Sequence, residues 1–131
     1  MQTVRFRIDF TPTCSLGPGK IALLETIGRT GSLRRAAREL GMSYRYAWRL
    51  LDDINHMFAQ PATTASVGGA GGGGVELTPF GTDLIRRYRA LARRIDRLAQ
   101  TAFRGIAVRT DAQSSAPVAR KRLARSPARA K

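Results

Sequence analysis

Residues 32–51 read SLRRAARELGMSYRYAWRLL, and this stretch decides the fold. Ser32 is a good N-cap, and Leu33, Ala36, Ala37 and Leu40 follow at i, i+3, i+4 and i+7. They make one narrow apolar stripe, with Arg34, Arg35 and Arg38 turned outward. Gly41 ends that helix, and only two residues later Ser43 can cap another. Its buried stripe is Ala47, Leu50, Leu51, Ile54 and Phe58. Two short helices joined through a glycine turn are a helix-turn-helix.

Downstream, residues 62–77 hold two short strand-like pieces around a loop in which Gly68 to Gly74 are interrupted only by Ala70. The expected element is a β-hairpin wing. Thr78 can cap a further helix with Pro79 at its first position, where a missing N–H costs nothing. That helix can run over 79–102, about 36 Å at the helical rise per residue. Leu84, Tyr88, Leu91, Ile95, Leu98 and Ala102 alternate steps of four and three along it, the seam of a coiled coil and so a dimerisation helix.

Upstream, Val4, Phe6, Ile8 and Phe10 alternate with Arg5, Arg7 and Asp9, the period of a strand with one buried face. After the breakers Gly17-Pro18-Gly19, Ile21, Leu24 and Ile27 predict a first helix of about ten residues, stopped by Gly28 and Gly31. The expected fold is therefore mainly α with a small β component, a winged helix-turn-helix over 1–103. Residues 104–131 are Ala, Arg, Ser and Pro with few large apolar side chains, a composition that cannot offset the entropy of folding. A disordered basic tail is expected there.

The 131 residues carry 23 Lys and Arg against 9 Asp and Glu, a net charge of +14 that attracts polyanions. The tail holds eight basic residues and one acid, and residues 1–103 hold fifteen and eight, so the body is basic in its own right. Cys14 is the single cysteine, which excludes an intrachain disulfide and a cysteine metal cluster and fits a reducing cytosol. No stretch approaches the roughly 18 apolar residues of a membrane span, so a cytoplasmic, nucleoid location is expected. A chain of this length is expected to hold one DNA reader without a full sensor domain.

The residue types of 43–56 suit a recognition helix in the major groove of double-stranded DNA, which needs donors near its N-terminal half and small residues behind. Arg45 and Arg49 can fork onto guanine edges or pair with phosphates, and Ser43, Tyr44 and Tyr46 lie near the positive helix end. Arg34 and Arg35 on the preceding helix are further candidate contacts. Ala47 is the close-packed residue facing back. Trp48 is read first as a core filler, with stacking on DNA as the alternative. In the wing, Gly71 and Gly72 offer bare backbone that can approach a phosphate or the minor groove. The same loop lacks the Lys and following helix of a nucleotide-phosphate loop, and Gly17-Pro18-Gly19-Lys20 lacks its second glycine. His56, beside Asp52 and Asp53, is the only histidine, and with no nucleophile or second ligand near it a solvated helix face is expected. No enzyme, cofactor or metal site is expected.

The segments Gly17 to Leu24, Thr30-Gly31-Ser32, Ser43-Tyr44-Arg45-Tyr46-Ala47-Trp48, Gly68 to Gly74 and Leu77-Thr78-Pro79-Phe80-Gly81 together resemble the N-terminal DNA-binding domain of the molybdate-responsive regulator family ModE, over about residues 2–103. More broadly the pattern is similar to the LysR-type winged helix. The resemblance implies a winged-helix homodimer whose long helices pair, with Ser43, Tyr44 and Arg45 in the groove and the wing on the flanking backbone. It also implies a link to molybdate or metal transport genes. Two departures stand out. The 28 residues after Phe103 leave no room for the family's C-terminal oxyanion-binding domains, so direct molybdate binding is not expected. Ala62 to Val67 holds no basic residue where the family's wing strand usually has one.

The expected function is thus sequence-specific DNA binding in transcription regulation, with Leu84, Tyr88, Leu91, Ile95 and Leu98 at the dimer seam. The alternative is a nonspecific nucleoid-associated protein that coats nucleic acid through its charge and tail.

Overall fold

A computed structural model describes residues 2–66 and 74–109. In chain order these form β1 (Ile8–Thr11), β2 (Cys14–Leu16), α1 (Pro18–Thr30), α2 (Leu33–Glu39), α3 (Tyr44–Met57), β3 (Thr63–Ser66), β4 (Gly74–Leu77) and α4 (Pro79–Ala102). Strands β1 and β2 pair antiparallel, as do β3 and β4, in two separate two-stranded sheets. The arrangement is the winged helix-turn-helix, mainly helical, with a long helix after the wing.

The core is built around α1, where Ile21, Leu23, Leu24 and Ile27 are fully buried. A helix buried on more than one face needs its polar groups satisfied internally. Thr26 meets that need by donating its hydroxyl to the Ala22 carbonyl at 2.8 Å, and Thr30 donates to Thr26 in the same way. Helices α2 and α3 approach closely because the residues between them are small: Ala36, Ala37 and Ala47 are all buried. Gly31 and Gly41 close α1 and the helix-turn-helix turn at φ 70° and 69°, a left-handed backbone that favours glycine.

The expected caps form. The Ser32 hydroxyl accepts from the Arg35 N–H, the Ser43 hydroxyl from Tyr46 and the Thr78 hydroxyl from Gly81, at 3.0 to 3.1 Å. Each satisfies one of the amides that a helix start leaves without a partner.

The N-terminal segment departs from expectation. The alternation over Val4–Phe10 predicts a strand, but the ladder begins only at Ile8 and pairs with β2, a three-residue strand too short to show a period of its own. Residues before Ile8 lie on α4 instead. Phe6 stacks on Tyr88 with ring centroids 4.6 Å apart, the Tyr88 hydroxyl donates to the Phe6 carbonyl at 2.7 Å, and the Val4 N–H donates to Asp96 at 2.7 Å. Apolar alternation persists because this strap still has one covered face, although its backbone bonds go to side chains. Helix α1 starts within the Gly17-Pro18-Gly19-Lys20 segment, at Pro18, because proline at the first position of a helix is tolerated there.

The expected tail begins at Arg104; residues 104–109 are exposed, and the remainder lies outside the described residues, as do Gly71 and Gly72 of the wing tip.

Candidate nucleic-acid interface

Helix α3 carries its polar and apolar residues on opposite sides. Ala47, Leu51 and Ile54 are buried, whereas Tyr44, Arg45, Tyr46, Trp48 and Arg49 are exposed. The first turn contains no acid, so the free amides of the helix start face no built-in anion. Ser43 accepts from Tyr46 through its oxygen and keeps its hydroxyl proton to donate outward. The acids of α3 come later: Asp52 sits beside His56 at 3.2 Å, and the His56 side chain is 76% exposed, the solvated face that was expected.

Arg34 of α2 reaches across to α3 and lies over the Tyr44 ring, 4.7 Å from its centroid. A cation held on an aromatic face is preorganised at little cost. Arg35 and Arg38 are exposed beside it. Among the described residues, none of Arg34, Arg35, Arg38, Arg45 and Arg49 forms an ion pair. Glu39 is neutralised by Arg29 at 2.8 Å, and that hydrogen bond holds the Arg29 guanidinium above its ordinary pKa. The result is a surface of unopposed cations across α2 and the start of α3.

Trp48 corrects the first expectation. Its side chain is 52% exposed and, with Tyr44 and Arg45, lines a shallow depression on the outer surface. It fills no core position because α3 meets its neighbours through Ala47, Leu51 and Ile54, and position 48 falls on the flank of that stripe.

The wing is locked to both helices at its base. Asn55 of α3 accepts from the N–H groups of Ala62 and Thr63 at 2.8 and 3.0 Å and donates to the Thr63 hydroxyl at 2.9 Å. Thr78 donates its N–H to the Ala62 carbonyl at 2.9 Å and its hydroxyl to the Pro61 carbonyl at 2.8 Å. Gly81 packs directly on the same backbone: a Cβ there would stand 2.1 Å from the Ala62 carbonyl oxygen, so only glycine fits without displacement. Strand β4 adds a bond from Val75 N–H to the Gly31 carbonyl at 3.1 Å. Sequence reasoning missed Asn55; the available signal was a polar residue immediately after buried Ile54 and six before Pro61.

On α4 the expected seam divides. Leu84 and Tyr88 are 7% and 4% exposed and belong to the chain's own core, Tyr88 through Phe6. They are therefore corrected from seam to core residues. Leu91 and Leu98 are exposed and Ile95 half-buried. An open apolar cavity of about 520 Å³ lies beside Leu91, lined also by Ile8, Phe10, Phe58 and Phe80. The arginines at the start of α4 are paired: Arg86 and Arg87 with Asp83, and Arg89 with Glu25 at 2.6 Å. The bond from Arg87 holds the Asp83 carboxyl below its usual range.

Among the described residues no group of His, Cys, Asp and Glu could hold a metal ion, and no helix is long and apolar enough to cross a membrane.

No family model matches the chain. It is 39% identical over 111 residues to the molybdenum-pterin-binding protein MopB of Rhodobacter capsulatus, covering 76% of this chain and 41% of that protein. It is 38% identical over 87 residues to the molybdenum transport protein ModE of Azotobacter vinelandii, covering 66% and 32%. It is 37% identical over 75 residues to the DNA-binding transcriptional dual regulator ModE of Escherichia coli (strain K12), covering 57% and 29%. Over these stretches the chain is ModE-like, as its motifs suggest, and each stretch covers less than half of the relative's length.

Proposed function

We propose that this chain is a DNA-binding transcription regulator that reads double-stranded DNA with α3 and touches the flanking backbone with its wing. The observation that carries this is the unopposed cationic surface of Arg34, Arg35, Arg45 and Arg49 around the capped start of α3. DNA is a polyanion whose major groove admits a helix, and such a surface supplies both the phosphate attraction and the guanine-reading forks. Arg45 and Arg49 reach base edges, Ser43, Tyr44 and Tyr46 hold the helix in register, and Arg34 and Arg35 take phosphates. Backbone amides at Gly71 and Gly72 meet the flanking strand. The Asn55 lock supports a fixed angle between wing and helix, which a two-site contact needs.

The protein acts as a homodimer in the cytoplasm, on the nucleoid. Leu91, Ile95 and Leu98 pair the two copies of α4, and the cavity beside Leu91 extends the apolar surface. The named relatives support a link to molybdate or metal transport genes, without direct molybdate binding by this chain.

The test is selection of bound fragments from a random duplex pool by the full chain at near-physiological salt. The expected result is one enriched palindrome with half-sites about 34 Å apart or a multiple of that. Recovery of unenriched DNA overturns this function in favour of a nonspecific nucleoid protein, for which the net charge of +14 would suffice.

A further inference from the structure

Trp48 is the only tryptophan of the chain, and the fold leaves it 52% exposed on the helix that carries Arg45 and Arg49. Hydration of so large an apolar surface is unfavourable, and nothing in the core requires an indole at this position. Tyr44, one turn earlier on the same side, is 45% exposed and carries Arg34 on its ring. Tyr44, Arg45 and Trp48 share one depression, so a flat apolar surface stands beside the Arg45 side chain and, across Tyr44, near Arg34. That combination matches one feature of a DNA groove: the thymine 5-methyl, an apolar group on an otherwise polar edge bounded by phosphates.

We propose that Trp48 is a specificity residue that packs against thymine methyl groups in the major groove, next to the bases contacted by Arg45. The inference rests on the DNA-reading function proposed above. A methyl removed from the groove leaves the indole against water, so the preference for thymine over uracil is the direct signature of this contact.

The test uses the full chain and the duplex enriched by selection, with each thymine replaced in turn by deoxyuridine, which deletes only the methyl. Binding by the unaltered protein is expected to weaken about fivefold at one or two positions per half-site. Trp48→Ala, which removes the contact from both half-sites of the dimer, is expected to lose about 25-fold or more on the thymine duplex and to bind thymine and uracil duplexes alike, since a contact already absent cannot be lost twice. The intrinsic fluorescence, which comes from Trp48 among tryptophans, is expected to shift on titration with that duplex. Far-ultraviolet circular dichroism checks that the variant is folded, and the deoxyuridine series needs no variant at all.

An enriched duplex that tolerates deoxyuridine everywhere overturns the proposal while leaving the regulator intact. So does a Trp48→Ala protein that keeps the thymine preference, or one that weakens equally on all sequences, which would mark a backbone contact. Absence of any enriched duplex removes the proposed function and this inference together.

Discussion

Helices α3 and α4 are both amphipathic and both rich in arginine, yet they use these side chains in opposite ways. At the start of α4, Arg86, Arg87 and Arg89 each have an acid partner, and Tyr88 turns inward to stack on Phe6. At the start of α3, Arg45 and Arg49 have none among the described residues, and Tyr44, Tyr46 and Trp48 stay outside. A guanidinium already paired with a carboxylate must break that pair before it can bind a phosphate, whereas an unopposed one lowers its own repulsion by doing so. The start of α4 serves the fold, and the start of α3 is left available for a polyanion.

Three changes test this contrast, beginning with the largest expected effect. Replacing Arg45 and Arg49 together with Ala should weaken binding to the selected duplex on the order of a thousandfold, the combined value of two base-reading forks, with the thermal midpoint nearly unchanged. Unimpaired binding, measured by fluorescence anisotropy, would move the interface elsewhere. Asn55→Ala should act on the other property, the fixed angle of the wing. It leaves two backbone amides without their acceptor and should cost about 2 kcal/mol in a denaturant melt. Affinity should fall with it even though Asn55 touches no DNA. Smallest is the effect expected for Arg86 and Arg87 changed together to Ala. Their partner Asp83 is at the surface, where ion pairs contribute little, so both midpoint and affinity should stay within error of the parent. A large loss of affinity there would erase the distinction between the two helices.

Much of the fold is legible because its signals are short. Ser32, Ser43 and Thr78 cap amides three residues ahead, and the stripe Ala36, Ala37, Ala47 follows from helical spacing alone. The candidate site is legible to the same depth: Arg34, Arg35, Arg45 and Arg49 face outward as anticipated. Three residues resisted. Periodicity makes Trp48 and Tyr88 equally plausible as core or surface, because Trp48 stands beside an apolar stripe, Tyr88 stands within one, and each carries a large ring. Asn55 gives almost no sign of its role, since its partners Ala62 and Thr63 arrive only after the chain has turned at Pro61.

Residue order alone specifies the four helices, their caps, the hairpin around its glycine loop and the basic character of the chain, since each depends on interactions within a turn or on a simple count of charges. Which apolar positions are covered is a different question. The Phe6 carbonyl meets Tyr88 across 82 residues, and the Val4 amide meets Asp96 across 92. Periodicity reports that a face is apolar and says nothing of what lies on it, so only three-dimensional packing could draw Leu84 and Tyr88 into the core, leave Leu91 and Leu98 outside, and hold Trp48 at the surface.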